Sequence, residues 1–326
     1  METLKGDRVI KRRERGTGVI EGILRDYIRE NKTDVDGIRK YVDERVEFYF
    51  GDGKLTRKID ISYPDRKNVE SIDNPHMNLE KLIRLISAGQ DCYLYGPPGT
   101  SKSTTTHQVA KILKLPFAYA SLCKQSSEVL LFGFMAAGGL YIETEFYRLY
   151  RDGGVFCLDE MDNANGNLLS KLNSLLENGH GSFPCGTIKR NPKFVLIGTG
   201  NTNGNGASLE FPDRTAFDPA FKERFVFCEW PLDENQEKAI ALSINPEQAM
   251  QWLETVQAIR GAVVNLGIER IVVSPRATYK GCALLRDGFT EKECCDMLIF
   301  KGAPEAIVKN ILTEVKSKKD ASATVK

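Results

Sequence analysis

The octapeptide Gly96-Pro97-Pro98-Gly99-Thr100-Ser101-Lys102-Ser103 constrains this chain more than any other feature, because it lies between the apolar run Cys92–Tyr95 and a helix-like segment, Thr104–Leu113. A glycine-rich turn that leaves a buried strand and opens a helix aims backbone N–H groups and the positive end of the helix dipole at one place. Polyphosphates require that arrangement. Lys102 then supplies a cation for the β and γ phosphates, the Ser103 hydroxyl can ligate Mg2+, and Thr104 follows in the first turn. One position departs from the usual pattern: Ser101, not glycine, precedes the lysine, so a residue with a Cβ must hold the turn's backbone conformation. The alternative for such a stretch is a Gly/Pro-rich surface turn.

Two further apolar strands end in chemistry. Val155–Leu158 runs into Asp159-Glu160, and Phe194–Ile197 runs into Gly198-Thr-Gly-Asn201. Helical segments between the strands imply βα units and a mostly parallel sheet, whose ligands bind beyond the carboxyl ends of the strands. Asp159 is expected to position the Mg2+ shell and Glu160 to orient and polarise an attacking water. The Asn201 amide could hold that water or touch the γ-phosphate, although asparagine beside glycine is also an ordinary turn former. Arg224, at the end of a short helix within Phe217–Phe225, could reach a neighbouring subunit's nucleotide, with Arg214 as a second candidate. Arg276 falls in the first turn of a helix with Ser274 as N-cap and Pro275 at the first position. A cation there opposes the helix dipole, so an anionic partner is the simplest compensation. For each arginine the commoner fate is a surface ion pair.

The 326 residues suffice for one α/β domain with smaller attachments. The 45 Lys and Arg nearly balance the 44 Asp and Glu, giving a formal charge of +1. No global field therefore recruits nucleic acid or an anionic membrane, and a nucleic-acid partner would need a local patch. The basic run Lys11–Arg15 and the pair Lys189-Arg190 are the candidates. The eight cysteines show no C-x-x-C spacing and read as small buried hydrophobes in a reducing compartment. With no apolar run near the roughly 18 residues of a membrane span, a soluble cytoplasmic protein is expected.

The expected organisation has four parts. Residues 1–73 form a small α+β region, with helix-like spacing over 18–30 and 35–46 and a hairpin over 47–61. Residues 74–230 form the nucleotide-binding core. Residues 231–315 form a helical lid, with helices over 234–243, 246–266, 275–286, 291–300 and 304–315. Residues 316–326, charged and small, are expected to be disordered.

Together these residues resemble the AAA+ superfamily of P-loop nucleoside triphosphatases, with Gly96–Ser103 as Walker A, Leu158–Glu160 as Walker B, Asn201 as sensor 1, Arg224 as arginine finger and Arg276 as sensor 2. Within it the chain is most similar to the dynein-related branch that includes MoxR, CbbQ, NirQ and CobS, and particularly to CobS-like ATPases of tailed phages. That likeness rests on Leu131–Met135 with the following Gly138-Gly139, on Leu175–Gly179, on Asn201–Gly204, and on Phe217–Ala220 with Arg224-Phe225. It implies an α/β core with a helical lid, ATP and Mg2+ as ligands, and a homo-oligomeric ring, typically a hexamer, that remodels a protein client. It also implies two inserted hairpins, for which 131–144 and 181–192 fit; Phe132, Phe134 and Met135 in the first would either face a partner or the pore or be packed between subunits. Related helicases place Ala-Lys-Ser where others have Gly-Lys-Thr, which makes Ser101 tolerable. A DNA-directed motor or loader, and a nucleotide-dependent assembly protein with low turnover, are the alternatives.

Overall fold

The computed structural model describes residues 46–50, 57–61, 70–177 and 179–324. The basic run Lys11–Arg15 and the helix-like stretch 18–30 lie outside them, as does 35–46 except for Val46, which starts a strand. Contacts divide the chain into two units, residues 1–49 with 59–71 and residues 50–58 with 72–326. Strands β1 (Val46–Phe50), β2 (Arg57–Ile61) and β3 (Glu70–Asp73) are neighbours in that order in one sheet, so the two strands of the expected 47–61 hairpin lie side by side.

From residue 72 the second unit alternates strands and helices. Helix α1 (Leu79–Ser87) leads into β4 (Cys92–Tyr95), α2 (Lys102–Leu113) and β5 (Phe117–Ser121). A short helix, α3 (Val129–Phe132), precedes a hairpin of β6 (Phe134–Met135) and β7 (Tyr141–Ile142), then α4 (Glu145–Asp152) and β8 (Gly154–Asp159). A 3-10 turn at Met161–Asn163 and α5 (Gly166–Glu177) come next, followed by a second hairpin of β9 (His180–Phe183) and β10 (Gly186–Lys189). The core closes with β11 (Phe194–Gly200), α6 (Pro219–Lys222) and β12 (Val226–Glu229).

The main sheet has the order β12-β4-β11-β8-β5, and every pairing in it is parallel. Strands covered on both faces must be apolar on both, which is why β8 (GVFCLD) is buried over its first five residues instead of alternating. The consequence for chemistry lies in the order. β11 pairs with β4 on one side and β8 on the other, so the loops leaving these three strands meet at one edge. Below them Phe146, Tyr150, Phe156, Phe183 and Phe194 pack edge-on and tilted into one aromatic cluster.

Both hairpins expected from the family resemblance are present, with Phe134 opposite Ile142 and Gly186 opposite Phe183. Two details differ from expectation. Phe132 is buried with the Lys171 ammonium over its ring, while Phe134 and Met135, 44% and 45% exposed, do face solvent. Arg190 is not free to meet a nucleic acid. Its guanidinium donates to both oxygens of Asp91, at 2.8 and 2.7 Å, and to Phe194 O.

After Trp230 the described chain is helical: α7 (Glu234–Ile244), α8 (Ala249–Asn265), α9 (Pro275–Arg286), α10 (Glu291–Leu298) and α11 (Glu305–Thr324). α11 thus runs well past Lys316, where disorder was expected. Its lysines and alanines are good helix formers, and Lys318 reaches back to Glu314 one turn earlier. The lid closes over Trp252, whose indole N–H donates to the carbonyls of Ala277 and Thr278, and whose ring fills the space a side chain at Gly281 would need. Fully buried Glu237 takes a bidentate Arg260 and the Thr278 hydroxyl, and Arg260 also donates to Val273 O. That network fixes the start of α9. Five cysteines are buried as expected, but Cys123 and Cys185 are exposed. Among the described residues no helix is long and apolar enough to cross a membrane.

Candidate active site

The phosphate-type loop occupies the turn from β4 into α2. Ser101, at φ 63° and ψ 21°, sits in the left-handed region at the N-cap of α2, the conformation for which glycine is ordinarily used. Its carbonyl is well used, accepting from Thr105 N and the Thr105 hydroxyl. Gly99 is left-handed too, at φ 80°, and a Cβ there would in addition lie 3.3 Å from Ser274 and from Pro275 at the start of α9, so the lid packs closely on the loop at this glycine.

Lys102 is 8% exposed and its ammonium curls back onto the loop, donating to Gly96 O and Pro97 O at 2.8 Å each. Asn201 Oδ1 is 3.4 Å away. Burial lowers the Lys102 pKa to about 8; Asp159 and Asp162 oppose the shift, and Arg276 and Arg214 add to it. The Ser103 hydroxyl donates to Asp159 Oδ1 at 2.8 Å, and the Thr199 hydroxyl donates to the same oxygen. These hard oxygen donors suit Mg2+, which takes one or two protein oxygens and completes its shell with phosphate and water.

Glu160 adopts a left-handed backbone at φ 52°, which turns its side chain out of the line of β8. Its Oε2 lies 3.4 Å from Asn163 Nδ2 and 3.5 Å from Arg214 Nη1. The turn that follows holds a residue that sequence reasoning passed over. Asp162 is wholly buried, and its Oδ2 accepts from Asn201 N, Thr202 N and the Thr202 hydroxyl at 2.9 to 3.0 Å. Gly200 makes room for this packing, since a Cβ there would strike the Tyr93 hydroxyl and the Asp162 carboxyl. The other oxygen, Oδ1, has no hydrogen-bond partner, and the same Arg214 nitrogen stands 3.5 Å from it. In sequence Asp162 is one acid among many; only the return of β11 beside β8 buries it.

The structure brings Lys102, Ser103, Asp159, Glu160 and Asn201 together with Arg214, the second arginine candidate, and adds Thr199 and Asp162. It does not bring Arg224 into this group. Arg224 donates to Asn173 Oδ1 and pairs with Glu177, both on α5, at 3.1 Å. Arg276 is at the first turn of α9, with Ser274 as N-cap and Pro275 at the first position. It is exposed and forms no hydrogen bond or ion pair among the described residues, yet it is close enough to be felt at Lys102.

Trp230 joins core to lid. Its indole donates to Thr100 O at 3.1 Å, its backbone N–H donates to Tyr95 O, and His76 stacks on it at 4.3 Å. Asp233, the N-cap of α7, also accepts from Met77 N at 2.8 Å. A cavity of about 340 Å³ opens between Pro97-Pro98 and the lid segment Ile268–Pro275, with Leu232 and Glu210 at its sides.

Residues 91–225 match the family model described as AAA domain (dynein-related subfamily). Over 134 residues the chain is 28% identical to mouse (Mus musculus) von Willebrand factor A domain-containing protein 8, a match spanning 36% of this chain and 7% of that protein. Among solved structures it is similar to Hsp104 in a closed state with ATPγS and FITC-casein, at 21% identity and TM-score 0.38, covering 51% of this chain and 34% of the other. It is similar also to NtrX from Brucella abortus, at 16% identity and TM-score 0.48, covering 76% of this chain and 60% of the other. The chain thus spans less than two thirds of each of these proteins. Residues 91–225 carry a dynein-related AAA domain, and the chain has the α/β AAA+ fold with helices after its core.

Proposed function

We propose that this chain binds and hydrolyses ATP and uses the cycle, as a subunit of a homo-oligomeric ring, to remodel a protein partner in the manner of the MoxR- and CobS-like ATPases. One observation carries the catalytic part: Lys102, Asn201 and the Ser103–Asp159 pair converge at the carboxyl ends of three adjacent parallel strands, with Glu160 beside them. In this reading the loop amides and Lys102 receive the phosphates, and the cavity beside Pro97-Pro98 takes the nucleoside. Ser103 and Asp159 hold Mg2+, which when bound neutralises charge on the phosphate oxygens. Glu160 orients the attacking water and accepts its proton, while Asn201 fixes the γ-phosphate end against Lys102.

Arg224 belongs to the ring part of the reading. It is partly exposed and tied to α5, outside the group around Lys102, which suits an arginine offered to a neighbouring subunit. Phe134 and Met135, at the exposed hairpin, are the apolar groups we assign to partner contact. The DNA-motor reading keeps only Lys189 of its core pair, because Arg190 is spent on Asp91. The test is steady-state phosphate release by the whole chain and by Glu160→Gln, with ATP binding measured in both. Binding without turnover in the variant supports the assignment, and undiminished turnover sinks it. Turnover that rises with DNA and collapses with salt would instead favour the DNA motor.

A further inference from the structure

Two carboxylates of the same turn compete for one guanidinium. Arg214 Nη1 lies 3.5 Å from Glu160 Oε2 and 3.5 Å from Asp162 Oδ1, too far from either for a strong hydrogen bond. The two acids differ in what they need. Glu160 is half exposed and can be satisfied by water, whereas Asp162 is fully buried with Oδ1 unpartnered. A buried carboxylate oxygen with no donor is an unfavourable arrangement, and a cation half an ångström short of relieving it is poised to move.

The backbone around Arg214 is fixed. Thr215 N donates to Asp162 O and the Thr215 hydroxyl donates to Ala164 O, which pins the loop to the turn from both sides. The guanidinium rests over the Phe211 ring and its side chain is only 12% exposed. Movement is therefore confined to the tip of one side chain, between two acceptors that share it. The other oxygen of Asp162 holds Asn201 and Thr202, so the buried acid links this arginine to the residue facing Lys102.

We propose that Arg214 acts in its own subunit as a positioning residue for Glu160, with two stations: shared with Glu160, where it holds that carboxylate back, and seated on Asp162 Oδ1, where it releases Glu160 to the attacking water. The inference rests on the reading of Glu160 as the water-activating group. It gives Arg214 a role within the subunit, distinct from an arginine offered to a neighbour. A phosphate that draws on Asn201 shifts Asp162 through its shared carboxylate and draws the arginine across, so the sensing loop and the release of Glu160 become one event.

The signs of the variants test this. Asp162→Asn keeps an acceptor for Asn201 and Thr202 but removes the charge that competes for Arg214, leaving the arginine on Glu160. Its kcat is expected to fall by on the order of tenfold while the Kd for a fluorescent ATP analogue stays within about twofold. Adding Arg214→Met to the same chain is expected to restore most of the lost rate, because nothing then holds Glu160. An ion pair that merely stabilises the fold predicts the reverse, a double variant as slow as Asp162→Asn or slower, and that result overturns the proposal. If chains lacking Asp162 do not fold, as judged by thermal melting, Arg214→Met alone decides: kcat at or above that of the parent supports the proposal, and a lower kcat at unchanged Kd overturns it. Glu160→Gln runs alongside. Should it hydrolyse ATP at the parent rate, the reading of Glu160 has failed; should it be inactive while the Arg214 and Asp162 variants show the opposite signs, the two-station proposal alone has failed.

Discussion

At Ser101 the loop sets a steric demand that the residue meets poorly. Its φ of 63° costs a residue with a Cβ roughly 1–2 kcal/mol relative to glycine, partly offset because glycine gains more freedom in the unfolded chain. Ser101→Gly is therefore expected to stabilise the nucleotide-free protein by about 0.5–1 kcal/mol in urea unfolding, and destabilisation would show that the Ser101 side chain has a role of its own. Lys102 gives a pH prediction. Its pKa of about 8 without ligand is depressed, and bound phosphate raises it, so ATP binds best below pH 8. Above pH 8 the ligand-free lysine is neutral, binding must take up a proton, and affinity falls by up to about tenfold per unit until the pKa of the complex is passed. Calorimetry with EDTA in buffers of different ionisation heat measures that proton directly. Lys102, Asp159 and Glu160 were legible in sequence because each follows a short apolar strand. Asp162 was not, because its burial depends on a strand that arrives more than thirty residues later.

Arg190 illustrates the same limit at the level of elements. A basic pair at the end of a hairpin reads as a surface feature, but Arg190 straps β10 to the start of β4 through Asp91, which also accepts from Leu196 N. Arg190→Ala leaves that buried carboxylate with one backbone donor and is expected to cost about 3 kcal/mol in a denaturant melt, well above the loss of an exposed pair. A helix with clear start signals was read to the residue: α9 starts with Ser274-Pro275 and ends at Arg286. β5 was missed. Its sequence FAYAS is an edge strand whose Tyr119 is 68% exposed, so no apolar run marks it, and only pairing with β8 defines it. The end of α11 was misjudged because composition alone cannot separate a solvated helix from a disordered tail.

On the scale of the whole chain, the lid meets the loop at Gly99 and Trp230, while the Arg276 charge is felt at Lys102. Arg276→Ala should leave the stability of the ligand-free protein unchanged within about 0.5 kcal/mol, since an exposed side chain without a partner among the described residues contributes little. The same variant should weaken ATP binding and abolish any protection of the 268–275 segment that ATP confers against proteolysis; full protection would remove Arg276 from the coupling of nucleotide to lid.

The sheet order β12-β4-β11-β8-β5 also has a consequence for the birth of the protein. During synthesis β4 and β8 leave the ribosome long before β11, so each waits with an unpaired edge facing the gap that β11 will fill. The central strand is thus inserted between two that are already made, with only the edge strand β12 still to follow, and the nascent chain has no assembled nucleotide site until about residue 202 has emerged. A chain stopped before Phe194 is expected to expose both edges, aggregate and fail to bind ATP, even though it contains the complete loop and both acidic residues. The interval between those two strands is the period in which this protein most needs a holding chaperone.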